Sequence, residues 1–395
     1  MNIIKNIVFT KIFQRLLKQS CPQSTRHLCC SHAQILPLQC QAPGTANEIC
    51  TVRYRPVKLS TVPYSSVLSD PENKGSHQKG VNFDTLGSWN NRLDMPILVD
   101  KSIEKGKLIP RIPLEDVGSA SLIGRRKINE DRWIVKQLTP DILYFGIFDG
   151  HGGPDVVDYA CQHMEDHLCF ELTQTDNLSK VLYRSFVNLN NVIARHLAYY
   201  NTAQDLNMMG TTATICLLRN SIELVVGNVG DSRAVLSREG QAIRLSHDHE
   251  AQDTNEATRI KKYGGTVVEN SLGTLLVNGR LNMTRSLGDV ELKMFGVTAH
   301  PNIRSIEVKH GKDSFLVLMT DGLSYVLNDQ EICDIIISSA IPSEAATLVT
   351  DQALQFGSED NVTAVIIPFG AWGKYRSTTR TIPYSFGRNF FSTRY

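Results

Sequence analysis

From about residue 142 onward, short apolar runs alternate with longer stretches in which apolar positions recur every three or four residues. The runs 142–148 (ILYFGIF), 212–218 (TATICLL), 222–229 (IELVVGNV), 233–237 (RAVLS), 314–320 (SFLVLMT) and 362–369 (VTAVIIPF) are rich in β-branched and aromatic residues and predict strands. The links 219–221 and 230–232 are too short to hold a crossover helix, so both predict antiparallel hairpins. Helical spacing covers Pro154 to Leu172, with proline in the first turn, and 178–197, where Leu178, Val181, Leu182, Phe186, Leu189, Val192, Ile193 and Leu197 form one stripe. A third helix is expected near Asn328, which has capping-box spacing to Glu331, and a fourth over 343–356, ending against Gly357. Hairpins mixed with amphipathic helices predict an α+β domain whose helices cover sheet faces.

The first fifty residues break this pattern. Lys5, Lys11, Arg15, Lys18 and Arg26 appear before any acid, the first of which is Glu48, while Ile4, Ile7, Val8, Phe13, Leu16 and Leu17 share a helical stripe. A basic, acid-free amphipathic segment predicts a mitochondrial transit peptide over 1–31, closing near RHLCCS, and hence residence in the mitochondrial matrix. A basic surface helix of the folded protein is the other reading. Residues 32–91 are rich in Pro, Ser, Gly and Asn without sustained periodicity and read as a linker, leaving a folded domain over 92–370 and a tail over 371–395.

Composition narrows the function classes. Forty-one basic against 40 acidic residues give no overall bias toward nucleic acid or an anionic membrane, so functional charge must be local. Nine cysteines, five of them within the first fifty residues and none in a C-x-x-C pair, predict neither a disulfide framework nor structural zinc, and point to a reducing compartment. No apolar run reaches the roughly 18 residues that a membrane-spanning helix needs.

The acids fall at strand ends. Asp149, Asp231 and Asp321 each follow a predicted strand, Asp360 stands just ahead of one, and Glu130 and Asp131 form an adjacent pair. Glycine follows Asp149 and Asp321 and precedes Asp231 and Asp289. Taken singly, each acid reads as a turn residue, a helix cap or a solvated charge. Gathered at one end of a sheet, they would repel one another unless cations lay between them, and an all-oxygen donor set suits Mg²⁺ or Mn²⁺.

The blocks RRKINED, FDGHGG, GTTATICLL, VGNVGDSRAVL, GRLNMTRSLGD, LMTDG and GSEDNVTAVII, in that order, resemble the motifs of the metal-dependent PPM-type (type 2C) serine/threonine protein phosphatases over 117–369. The resemblance implies a four-layer αββα sandwich: two antiparallel β-sheets packed face to face and flanked by helix pairs. It implies two Mn²⁺ or Mg²⁺ ions, with Asp149 bridging them, Asp321 and Asp360 completing one shell, and Glu130 and the Gly150 carbonyl serving the other. Asp131 would orient the attacking water and Arg126 would hold the phosphate, Arg125 and Lys127 being solvated neighbours. His151 would protonate the leaving oxygen, or else is a histidine packed in a turn. Asp231 would join Asp321 in a third ion site, but DGLSY places Tyr325 where the family carries a further aspartate. The segment 266–279 falls where the family has a flap beside the active site. The lead-in WNNRLDMPI is similar to mitochondrial members, which implies a phosphorylated protein substrate, with the branched-chain α-ketoacid dehydrogenase complex as the candidate partner. Two other readings are an inactive binding member, against which Glu130, Asp149, Asp321 and Asp360 all stand, and a phosphatase of small metabolites.

Overall fold

A computed structural model describes residues 109–200, 208–271 and 273–376. The expected transit peptide, the linker and the far end of the tail lie outside the described residues. The elements are β1 (Gly118–Leu122), β2 (Asp131–Thr139), β3 (Ile142–His151), α1 (Pro154–Leu172), α2 (Leu178–Tyr200), β4 (Gly210–Thr211), β5 (Ala213–Arg219), β6 (Glu223–Val229), β7 (Arg233–Arg238) and β8 (Gln241–Arg244). They continue with α3 (Thr254–Lys262), β9 (Val267–Glu269), β10 (Leu275–Val277), β11 (Leu287–Gly288), α4 (Val290–Lys293), β12 (Asn302–Glu307) and β13 (Asp313–Met319). Last come α5 (Asp321–Ser324), α6 (Asp329–Ser338), α7 (Pro342–Gln355) and β14 (Val362–Pro368).

These strands form two larger sheets and one small hairpin, all antiparallel. One sheet has the order β1-β14-β13-β7-β8; the other runs β11-β4-β3-β5-β6-β12, with β2 also paired to β3. Successive residues of the central strands go to different cores, as the two-residue period of a strand requires. In β3, Tyr144 and Phe148 pack with Val157, Leu168, Leu182 and Phe186 of α1 and α2. Phe145 and Ile147 pack instead with Leu316 and Leu318 of β13 and Val365 and Ile367 of β14. The other side of β13, Phe315, Val317 and Met319, meets Ile332 and Ile336 of α6 and Val349 of α7. Strands buried on both faces explain why they read as continuous apolar runs rather than alternating ones. The α+β class expected from the sequence is the one the chain adopts.

One expected hairpin forms and the other does not. Between β5 and β6, Asn220 (φ 51°) and Ser221 (φ 57°) take the left-handed conformations of a tight hairpin turn. The link 230–232, in contrast, carries the chain from one sheet to the other: β6 pairs with β5 and β12, whereas β7 pairs with β13 and β8. Gly230, at φ 96°, turns the chain where a Cβ would lie 2.6 Å from the Thr212 side chain. A short link is therefore compatible with a hand-over between stacked sheets, an option that link length alone does not reveal.

The helix ends follow their local chemistry. Asn328 caps α6 by accepting from the N–H groups of Gln330 and Glu331, and the Glu331 side chain returns a bond to the Asn328 N–H. Beyond the expected limit at 370, Ala371 and Trp372 are buried with the domain, and the Trp372 indole donates to the Ala340 carbonyl. Replacing Asn328 by alanine is expected to cost about 1 kcal/mol of stability, read as a lower urea midpoint, with Asn328→Asp close to the parent.

Candidate active site

The strand β3 runs further than its apolar run suggested. Asp149 pairs with Asp131 of β2, and Gly150 and His151 pair with Thr211 and Gly210 of β4. The Asp149 N–H donates to Thr212 Oγ1 (3.0 Å), and its carbonyl accepts from the Thr212 N–H (2.9 Å) and Thr211 Oγ1 (3.0 Å). Asp149, Gly150 and His151 are thus strand residues, and the turn expected there begins only at Gly152 (φ 75°) and Gly153 (φ 137°). Gly150 is bare because a Cβ would sit 2.7 Å from Val157 Cγ1 and 2.9 Å from the Glu130 carbonyl oxygen.

Asn361 ties the loop that carries Arg126 and Glu130 to the start of β14. Its Oδ1 accepts from the Glu130 N–H (2.9 Å), and its Nδ2 donates to the carbonyls of Ile123 (2.8 Å) and Ile128 (3.1 Å). Glu130 also accepts through its backbone carbonyl from the Gly150 N–H, so its main chain is fixed against the same strand end.

Five carboxylates converge here from both sheets. Burial pushes Asp149 well above the usual carboxylate range, and Asp321, Asp131, Asp231 and Asp360 push in the same direction. Asp321 is raised by burial and by Asp360, against a hydrogen bond shared with Asp149 and the charge of Arg126. Asp131, beneath them, is pushed up to about 7 by burial, although its Oδ2 accepts from Thr363 Oγ1 (2.6 Å) and Thr320 Oγ1 (3.0 Å). Asp231 is also raised well above its ordinary value, first by burial and then by Asp321 and Glu250; its Oδ2 accepts from Asn282 Nδ2 (3.1 Å). Asp131 Oδ1 and Asp231 Oδ1 are buried with no hydrogen-bond partner. Arg126 faces the group, paired with Asp360 at 2.6 Å. Among the described residues no three such side chains already stand in an arrangement that could hold a metal ion. Orphaned buried oxygens and unneutralised acids nonetheless form a donor set that hard divalent cations satisfy.

His151 lies beside this group, its Nε2 at 2.9 Å and 3.0 Å from the two oxygens of Asp289. Over this architecture, residues 115–362 match the family described as Protein phosphatase 2C. The chain belongs to the protein phosphatase 2C family. It is 49% identical over 311 residues to Protein phosphatase 1K, mitochondrial, of Xenopus laevis, covering 79% of this chain and 83% of that one. It is 35% identical over 267 residues to Protein phosphatase 2C homolog 1 of Saccharomyces cerevisiae, covering 62% and 88% of the two chains. The serine-threonine phosphatase 2C from Toxoplasma gondii has the same fold (TM-score 0.57, 23% identity), covering 64% of this chain and 94% of that one. The enzyme class is that of a serine/threonine protein phosphatase.

Within this phosphatase 2C domain the structure brings Asp131, Asp149, Asp231, Asp321, Asp360 and Arg126 together. Glu130 and Gly150 join through their backbones. Tyr325, four residues after Asp321, is 86% exposed. Segment 266–279 carries the β9–β10 hairpin. Sequence reasoning missed Thr320, Thr363 and Asn361, and it noticed Asp289 without giving it a role. The available signal was position: each lies within three residues of a block acid or glycine, inside the quoted blocks.

The raised acids set a pH dependence. An acid whose folded pKa exceeds its unfolded value favours folding while protonated and costs stability as pH rises through the folded value. For Asp131 that window runs from 3.8 to about 7, a cost on the order of 4 kcal/mol. In a chelator, the thermal midpoint is therefore expected to fall between pH 5 and pH 8. Mn²⁺ or Mg²⁺ should restore it strongly at pH 8 and weakly at pH 5, checked by scanning calorimetry.

Proposed function

We propose that the protein is a metal-dependent phosphatase of the mitochondrial matrix that hydrolyses phosphoserine and phosphothreonine esters, with the branched-chain α-ketoacid dehydrogenase complex as its substrate. The observation that carries the metal dependence is the set of five mutually repelling carboxylates faced by Arg126. Asp149, Asp321 and Asp360 would hold one divalent ion; Asp149, Glu130 and the Gly150 carbonyl would hold the other. When bound, the pair lowers the pKa of water and screens the phosphoryl charge.

The chain's own residues do the rest. The Arg126 guanidinium, exchanged from Asp360, fits two phosphoryl oxygens. Asp131, held by Thr320 and Thr363, orients the attacking water. As the water oxygen bonds to phosphorus and the ester P–O bond breaks, His151 gives a proton to the departing serine or threonine oxygen, and orthophosphate leaves. Asp231 would join Asp321 in a third, weaker ion site, one acid short because Tyr325 stands where a further aspartate would help hold that ion. The matrix assignment is supported by the basic, acid-free leader and by the mitochondrial name of the Xenopus laevis relative.

Asp149→Asn is expected to abolish turnover of a phosphothreonine peptide while circular dichroism shows an intact fold; a variant that keeps most of its rate would overturn the bridging role. Turnover of the peptide well above that of sugar phosphates, and hyperphosphorylation of the dehydrogenase complex in mitochondria lacking the protein, test the substrate.

A further inference from the structure

We infer that Asp289 is a positioning residue for His151: it fixes the ring through Nε2 and leaves Nδ1 as the nitrogen free to exchange a proton with the departing oxygen. This rests on the proposed role of His151 as the proton donor.

The contact spans a strand. In the order β11-β4-β3, His151 at the end of β3 and Asp289, immediately after β11, are separated by the two residues of β4. Neighbouring strands lie about 4.8 Å apart, so residues two strands apart are kept from touching by whatever side chain stands between them. Here nothing does. Gly210 is the β4 residue opposite both His151 and Gly288, and a Cβ on it would lie 2.2 Å from Asp289 Oδ2 and 2.6 Å from His151 Nε2. The bare position is what lets the imidazole and the carboxylate meet.

Asp289 is itself firmly held. Only 1% of its side chain is exposed, and besides His151 it accepts from Ser286 Oγ. Its backbone is left-handed (φ 44°, ψ 48°), and its N–H donates to the Met209 carbonyl (2.9 Å). For a residue with a side chain that conformation is costly, and it persists because the surrounding contacts fix it. Lys293 closes the cluster by donating to the Ser286 carbonyl (2.6 Å). A carboxylate so placed accepts, so Nε2 carries its proton toward Asp289. His151 Nδ1 is buried and has no hydrogen-bond partner. The ring is thus anchored at Nε2, and Nδ1, which has no protein partner, gives its proton to the departing oxygen from the imidazolium form, leaving a neutral ring whose Nε2–H still points to Asp289.

The test compares two leaving groups in the Mn²⁺-loaded enzyme. A phosphothreonine peptide needs its departing oxygen protonated, whereas p-nitrophenyl phosphate releases a stable phenolate that does not. Asp289→Asn is expected to lower peptide kcat by roughly 10- to 100-fold and to affect p-nitrophenyl phosphate far less. Adding it to His151→Gln should cause no further loss on the peptide. Equal loss on both substrates, or losses that multiply in the double variant, would reduce Asp289 to a structural role and overturn the inference. If His151→Gln itself fails to separate the two substrates, the reading of His151 falls and this inference falls with it. If His151→Gln separates them and Asp289→Asn does not, the inference alone fails. Should Asp289→Asn not fold, Gly210→Ala, which drives a methyl group between the two side chains, carries the same comparison with the same expected and overturning results.

Discussion

Mutual repulsion among buried carboxylates is the constraint around which the molecule is organised. Asp131 and Asp149 come from the larger sheet, Asp321 and Asp360 flank β13 and β14 of the smaller one, and Asp231 sits on the link between the two. Their charges therefore push the sheets apart at one end. Two like charges 4 Å apart cost about 4 kcal/mol at the effective dielectric of a protein surface. Against this stands the core between the sheets, where fully buried side chains such as Phe145, Ile147, Leu316, Leu318, Val365 and Ile367 contribute about 1.5–3 kcal/mol each. The apolar contacts win, and the acids are held close mainly by packing, with Arg126 paired to Asp360 at the exposed edge of the group.

That arrangement is specific to the site, since the same chain neutralises buried acids elsewhere. Glu256 is only 3% exposed, yet Arg259 and Arg285 pair with it and Thr284 donates to it. Burial works against its charge, and these partners outweigh burial, so its pKa falls. Asp313, fully buried, receives two bonds from Arg238. The donors to Asp131 and Asp231 are hydroxyls and an amide, which satisfy a single oxygen of each and leave the other orphaned. The contrast separates acids whose oxygens the protein satisfies from acids that it leaves open.

Most of the scaffold could be read along the chain because its strongest signals are local. The apolar runs that became β3, β5, β6, β7, β13 and β14, and the stripes of α1 and α2, owe their form to neighbours within a few residues. Elements with weak apolar patterning were invisible: β2 (DRWIVKQLT) alternates too irregularly, and α3 (TNEATRIKK) buries little beyond Glu256 and Ile260. The true path through 230–232 was also illegible, because the sheet a strand joins depends on partners that the link does not touch. Of the site, the acids were legible from their places beside glycine and strand ends. Their supports were not: Asn361 and Thr363 lie within β14 or at its start, and Thr320 closes a run that looks purely apolar.

The reason is distance along the chain. Thr320 and Thr363 reach Asp131 across 189 and 232 residues, Arg126 reaches Asp360 across 234, and Asp289 reaches His151 across 138. Contacts of such separation form late, because the entropy of closing each loop is lost before any of them stabilises the chain. A single sheet, even fully paired, would present two or three of the acids and none of the strain. The clustered charge, and with it any affinity for a divalent ion, comes into being only when both sheets have docked. A divalent ion binding at this site would therefore act on the docked state alone and stabilise the architecture that created the site.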